Sequence, residues 1–174
     1  MDFTSKKVLI VYFSKKGENW YINGLKDLSK GNTEILAEKI SKFTGGDLFE
    51  IVGKKPYPDG YEDCCRVAKA EWTSKARPEL LNHKDAKAYD VVFVGWPCWH
   101  GTLPMAVYTW LEENRSLEGK IAIPFETNEG SNWGKGQKDF LAALPKATVL
   151  EGFAVRGHLV EKREAELEDW IKSL

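Results

Sequence analysis

Val8-Leu9-Ile10-Val11-Tyr12-Phe13-Ser14, followed further along the chain by Asn32-Thr33-Glu34, is the part of the sequence that decides the fold. An apolar run with little polar alternation is typical of a central parallel strand covered on both faces. Asn32 and Thr33 are residue types that begin helices. Free N–H groups and the dipole at a helix start favour an anion, and Ser14, Asn32 and Thr33 can bond phosphate oxygens. The pattern predicts either an ordinary helix cap or a phosphate site without metal.

Four further apolar segments predict strands. They cover residues 47–52, 91–95 and 120–125, with a fifth strand inside 147–155. Helical patterns separate most of them, including Leu36, Ile40 and Phe43 at helical spacing and a helix that begins near Pro104. Strand–helix alternation of this kind predicts a parallel sheet with right-handed crossovers. We expect residues 1–174 to form a single domain.

Composition excludes several classes of protein. The 174 residues are 43% hydrophobic and 29% charged, and the net charge is −1, so a nucleic-acid partner is not expected. No apolar run approaches the roughly 18 residues of a membrane span, and residues 1–7 lead straight into a strand, so we expect a cytoplasmic protein. Cys64, Cys65 and Cys98 are expected to be reduced thiols.

Ligands of parallel sheets bind beyond the carboxyl ends of the strands, which makes three loops candidates: 14–33, 96–102 and 126–134. In the second loop we expect Trp96 to plug the sheet, Trp99 and His100 to contact a ligand, and Cys98 to be a small buried residue. The third loop is rich in small hydrogen-bonding residues. One anion end and two ring-binding loops describe a mononucleotide. FMN fits better than a nucleoside triphosphate, because the sequence lacks G-x-x-x-x-G-K-[ST] and a carboxylate ending the first or third strand.

The sequence resembles a flavodoxin, specifically the short bacterial flavodoxin-like proteins with Y-F-S at the end of the first strand. The matching stretches are Val11–Ser14, Gly31–Thr33, Gly95–Pro97, Trp99–Pro104 and Pro124–Thr127, together with Lys54–Pro58 and Ala76–Pro78. The resemblance runs along nearly the whole chain. It implies an α/β fold, a three-layer α/β/α sandwich whose five-stranded parallel sheet has the order 2-1-3-4-5, with FMN bound non-covalently.

The resemblance also implies the cofactor-binding residues. Ser14, Asn32 and Thr33 would hold the phosphate, the second loop would flank the isoalloxazine, and the third would lie along its other edge. The predicted set is Ser14, Lys15, Asn32, Thr33, Pro97, Cys98, Trp99, His100, Gly101, Thr102, Thr127, Asn128, Glu129, Gly130 and Ser131. Two features depart from the family pattern. Residues 15–30 interrupt the normally contiguous phosphate loop, and His100 stands where a second aromatic residue is common.

Two functions stay open at this stage. The first is an electron carrier for a redox partner protein, with local acidity from Glu126, Glu129, Asp59, Glu62 and Asp63, although a merely solvated face is the preferred interpretation of these carboxylates. The second is an NAD(P)H-dependent FMN oxidoreductase that reduces a quinone or another small acceptor against an aromatic rim of Trp20, Trp99 and Trp133. Electron carriers are usually strongly acidic, which speeds their docking to a basic partner. A net charge of −1 provides little electrostatic steering of this kind and weakens the carrier hypothesis.

The remaining expectations concern single residues and the assembly. Trp20, in the long 15–30 connection, either covers a ligand or packs on the surface, and surface packing is preferred. His83 and His158 are expected to be surface residues. The oligomeric state is left open between a monomer and a homodimer.

Overall fold

The structure, a computed structural model, describes all 174 residues and consists of a parallel sheet between helices with one additional hairpin. The strands are β1 (Val8–Tyr12), β2 (Gly17–Tyr21), β3 (Gly24–Leu28), β4 (Asp47–Glu50), β5 (Val91–Pro97), β6 (Ile121–Asn128), β7 (Thr148–Val149) and β8 (Phe153–Arg156). The helices are α1 (Asn32–Thr44), α2 (Tyr61–Ser74), α3 (Met105–Glu113), α4 (Gly136–Ala143) and α5 (Glu164–Ser173). No helix is long and apolar enough to cross a membrane.

The order of the main sheet, β4-β1-β5-β6-β7, confirms the predicted order 2-1-3-4-5. All of its strand pairs are parallel, with Val11 beside Phe49 on one side and Val94 on the other. Alternate residues of the central strands enter separate cores. Leu9 and Val11 pack with α3 and α4, whereas Val8 and Ile10 pack with α1 and α5. The sheet therefore forms the middle layer of an α/β/α sandwich, with its carboxyl ends free for loops.

The fifth predicted strand is divided in two. β7 pairs with the start of β6 at Ala122↔Val149, and β8 pairs with its second half from Phe125↔Phe153 onward. The outer strand thus has one more residue than β6 between these two points, which is the arrangement of a bulge. Pro124 lies in this interval of β6 and has no N–H to donate, so the pairing is interrupted where the proline stands.

Residues 15–30, predicted as a long connection, contain the antiparallel hairpin β2–β3, with Tyr21 paired to Gly24 across the turn. The two turn residues are Ile22, with φ of 54°, and Asn23, so the Asn23-Gly24 dipeptide, a hairpin signal in the sequence, lies one residue beyond the centre of the turn. The hairpin is a separate two-stranded sheet and leaves the main sheet unchanged. It leads the chain out from β1 and back to the start of α1.

Candidate functional site

A cavity of about 330 Å³ lies at the carboxyl ends of β1, β5 and β6. Three groups of residues line it: those of the hairpin and the start of α1, those of α2, and those of the loops that follow β5, β6 and β8. The lining residues are Lys15, Glu18, Asn19, Trp20, Asn32, Thr33, Tyr61, Cys64, Cys65, Ala68, Pro97, Cys98, Trp99, His100, Thr127, Asn128, Glu129, Ser131 and Gly157. The size is within the range of small-molecule sites.

The first wall is the start of α1, which is capped by a side chain from another part of the chain. Gly31 precedes the helix and has no side chain to cap it, and the Ser14 hydroxyl accepts a hydrogen bond from the Glu34 N–H at 3.1 Å. The N–H groups of Asn32 and Thr33 have no partner in the protein. Free donors at a helix start, with no carboxylate among the capping groups, suit a dianionic ligand.

Gly31 is required because the chain after β1 approaches it closely. A β-carbon at this position would overlap the Ser14 hydroxyl and lie 2.7 Å from the carbonyl oxygen of Lys15. We expect Gly31→Ala to lower the free energy of unfolding by about 1–3 kcal/mol, the usual cost of overpacking. Urea unfolding measures this cost. Gly24→Ala is the control, because nothing lies within 4 Å of its added β-carbon, and an equal loss in both variants would contradict this explanation.

The second wall is a tight turn after β5. Trp99 and Thr102 exchange two backbone hydrogen bonds of 3.0 Å, and the central residues His100 and Gly101 have φ of 50° and 79°. Positive φ at both central positions is typical of the turn that closes a two-residue hairpin, and it explains the glycine. The Trp99 ring contacts Phe13 edge-on, with ring centroids 5.1 Å apart. The turn therefore presents Trp99 and His100 to the cavity on a rigid backbone.

His100 is tied to α2. Its Nε2 lies 3.0 Å from the carbonyl oxygen of Cys65, which can only accept, so this nitrogen carries the proton. The imidazole also stacks on Trp72, with ring centroids 6.3 Å apart and planes inclined by 17°. Burial raises the pKa of the Cys64 thiol to about 11 and that of the Cys98 thiol above its ordinary value, which disfavours the thiolate form of both.

The third wall is formed by the end of β6 and the residues after it, and two carboxylates in this region have different surroundings. Glu126 is completely buried; its Oε2 accepts from Trp96 Nε1 at 2.9 Å and its Oε1 has no partner. Burial raises the pKa of Glu126 to about 8, and the hydrogen bond from Trp96 offsets only part of that rise. Glu129 pairs with His158, Oε2 to Nδ1 at 2.6 Å, and also accepts from the His158 N–H at 2.9 Å.

These contacts correct three expectations. Glu126 cannot contribute acidity to a docking face or belong to a solvated one, because its side chain is inside the protein. His158 is not a free surface residue, because Glu129 holds it and only 18% of its side chain is exposed. Trp133 is not part of an aromatic rim, because it packs against the core beside Trp96, with ring centroids 6.1 Å apart.

Most of the predicted cofactor-binding residues are brought together. Lys15, Asn32, Thr33, Pro97, Cys98, Trp99, His100, Thr127, Asn128, Glu129 and Ser131 line the cavity, and Thr33 and Thr127 are joined through their hydroxyls at 2.7 Å. Four others do not line it. Ser14 lies behind the wall as the cap of α1, and Thr102 is buried and donates to Asp139 at 2.6 Å. Gly101 lies in the turn after β5, and Gly130 lies in the loop after β6, where its N–H donates to the Asn128 side chain.

The sequence analysis missed the walls that the hairpin and α2 supply. These residues are Glu18, Asn19, Tyr61, Cys64, Cys65 and Ala68, and Gly157, directly after β8, was also missed. Trp20 was considered and also lines the cavity, with 46% of it exposed. The Asn23-Gly24 dipeptide indicates a hairpin near these residues, but no local signal indicates that the hairpin folds over the carboxyl ends of the strands.

Comparison with known proteins places the chain among flavoproteins. The sequence matches a family model described as Flavodoxin over residues 26–174. No curated protein matches it. A candidate flavoprotein from Bacteroides eggerthii DSM 20697 is 28% identical, with a TM-score of 0.77 over 97% of this chain and 98% of that chain. A second from Bacteroides uniformis ATCC 8492 is 25% identical, with a TM-score of 0.76 over 95% and 97%.

A more distant structure is a flavoprotein from Lactobacillus acidophilus NCFM in complex with FMN. It is 21% identical, with a TM-score of 0.68 over 91% of this chain and 98% of that chain. At this identity the likeness shows that the two chains share a fold.

Proposed function

Because this chain belongs to the flavodoxin family, we propose that it binds FMN non-covalently and transfers electrons to a redox partner. The Lactobacillus flavoprotein of the same fold is in complex with FMN, which supports this choice of cofactor. FMN supplies the redox chemistry when it is bound. The protein contributes binding, orientation and the electrostatic surroundings that set the potential.

The chemistry of the cavity walls fits FMN. At one end, two free N–H groups of α1 are neutral donors for a phosphate, and the helix dipole adds positive potential. At the other end, Trp99 and His100 present flat rings, and the loop after β6 has the polar side chains of Asn128 and Ser131. No group of acidic, histidine or cysteine side chains able to hold a metal ion is present. The donor set is therefore that of an organic anion with an aromatic part.

One observation carries the proposal: the anion end and the aromatic end open into the same cavity although most of α1, β4, α2 and β5 lie between them in the sequence. Titration of the apoprotein with FMN tests it. We expect quenching of flavin fluorescence and a measurable heat of association at one equivalent. If neither signal appears with folded apoprotein, the proposal is wrong.

Within this function, the residues have distinct tasks. Asn32 and Thr33 hold the phosphate, and Ser14 keeps the start of α1 in position. Trp99 and Pro97 exclude water from one face of the ring. Thr127, near the end of β6, connects this strand to α1 through the hydroxyl of Thr33.

The partner is proposed to be another protein. Asp59, Glu62 and Asp63 are exposed at the start of α2, whose first residue, Tyr61, lines the cavity. Asp63 is paired with Arg66, so Asp59 and Glu62 are the carboxylates that remain for a basic partner, and docking there would weaken as salt is added.

A second candidate is reduction of a small acceptor such as a quinone by NAD(P)H. The net charge of −1, low for a dedicated carrier, favours it. NAD(P)H oxidation by the FMN-loaded protein in the presence of quinone separates the two functions. Turnover without an added reductase would support the enzyme, and its absence would support the carrier.

A further inference from the structure

We propose that the hairpin β2–β3 is part of the cofactor site, with Trp20 as the residue that contacts the flavin ring and slows its release. This inference rests on the proposed function. The hairpin supplies Glu18, Asn19 and Trp20 to the cavity lining, so it forms one wall of the site.

The hairpin is fixed to the body of the protein on the α2 side. The Glu18 carboxylate accepts a hydrogen bond from the Tyr61 N–H at 2.8 Å, which caps α2, because Gly60 has no side chain to do so. The Lys15 ammonium donates to the carbonyl oxygen of Asp59 at 3.1 Å. A negative charge at a helix start is favourable, so the base of the hairpin is held in a defined place.

A second contact fixes the hairpin on the other side of the cavity. The Tyr21 ring meets the His158 ring edge-on, with centroids 5.9 Å apart. His158 is itself held by Glu129, which lines the cavity. The strand β2 is thus attached to α2 and to the turn after β8, and it crosses the cavity between these attachments.

Trp20 is the residue of this wall that suits a planar ligand. It lines the cavity and lies against Tyr61, with ring centroids 6.2 Å apart and planes inclined by 40°. Nearly half of its surface, 46%, is exposed. An indole that is fixed in place yet open toward a cavity offers apolar area that a flavin ring can cover. Simple packing on the surface would not require it to line the cavity.

Leu25 provides a matched control within the same hairpin. It is the cross-strand neighbour of Trp20 and is 48% exposed, but it does not line the cavity. Loss of either side chain should affect the hairpin similarly, and only Trp20 should affect the ligand.

The experiment compares Trp20→Ala, Trp20→Phe and Leu25→Ala in the full chain, measuring the dissociation constant and dissociation rate of FMN and of riboflavin. We expect Trp20→Ala to raise the dissociation rate of both ligands about tenfold. Trp20→Phe should bring this rate most of the way back to the wild-type value. Leu25→Ala should keep the dissociation rates of both ligands within about twofold of wild type. Equal effects of Trp20→Ala and Leu25→Ala would overturn the inference. So would an effect on FMN that is absent with riboflavin, because the contact would then not be with the ring.

The same data keep the two proposals apart. If the wild-type apoprotein binds neither ligand, the proposed function itself fails. If it binds FMN and all three variants bind equally well, only the role of the hairpin is wrong. Circular dichroism of each apoprotein shows that the variants are folded before the comparison is made.

Discussion

Replacing Asn32 by aspartate is expected to weaken FMN binding by about 100-fold or more while leaving riboflavin binding almost unchanged. Asn32 is the first residue of α1 and lines the cavity. A carboxylate there would face the phosphate, and two unit charges about 5 Å apart interact by roughly 3 kcal/mol at an effective dielectric constant near 20. Riboflavin has no phosphate and is not subject to this repulsion.

The apoprotein should tolerate the same change. A negative charge in the first turn of a helix stabilises it by roughly 0.3–1 kcal/mol, so Asn32→Asp should not lower the free energy of unfolding. Fluorescence titrations with both flavins and urea unfolding of the apoprotein measure the two effects. Asn32→Ala removes the amide without adding charge, and it should weaken the affinity for FMN by less than about tenfold. Equal losses of FMN and riboflavin affinity in Asn32→Asp would mean that the phosphate does not bind at α1.

Replacing Glu126 by glutamine is expected to stabilise the apoprotein at pH 8 by several kcal/mol. Glu126 is completely buried, and burial raises its pKa from 4.5 to about 8. Between these two values the unfolded chain has lost the proton and the folded protein has kept it. The contribution of Glu126 to the free energy of unfolding of the wild type is therefore fully present below about pH 4.5. It falls as the pH rises to about 8, by up to about 1.4 kcal/mol per pH unit.

Glutamine has nearly the same shape as glutamate and cannot ionise. The free energy of unfolding of the variant should therefore not fall between pH 4.5 and pH 8 on account of this residue. Its side-chain oxygen can still accept the Trp96 indole hydrogen bond. Urea unfolding of both apoproteins at pH 4.5, 6, 7 and 8 measures the difference, which should be small at pH 4.5 and largest at pH 8. Parallel stability curves for the two proteins would show that Glu126 does not keep its proton in the folded state.

The positions of the helices and of the central strands could be predicted from local pattern. The apolar run in β1 indicated a strand covered on both faces, and every residue of that strand is buried. Leu36 and Ile40 recur at helical spacing, and both lie in the core against the sheet. Such patterns are local, because each depends on neighbours within one turn of helix or two residues of strand.

Boundaries and surroundings were less predictable. Pairing with β6 lengthens β5 to Pro97, and Pro124 interrupts the pairing of the outer strand, so β7 and β8 are separate. Glu126 was expected at the surface because carboxylates are seldom buried. Its side chain instead lies on the face of the sheet that carries Trp96, its direct neighbour across β5 and β6. The direction of a side chain at a strand end depends on register, which the sequence of one strand does not specify.

The sequence alone determined the layered α/β architecture and the three loops that meet at one edge of the sheet. Alternating strands and helices have few ways to bury their apolar faces, so the order of the segments restricted the fold strongly. Only the tertiary structure decided that Ser14 caps α1 from 20 residues away, that the hairpin crosses the cavity and that Glu126 is buried away from solvent. Each of these features depends on segments that are distant in sequence and meet in space. Such contacts contribute to the free energy of folding only once the chain has packed.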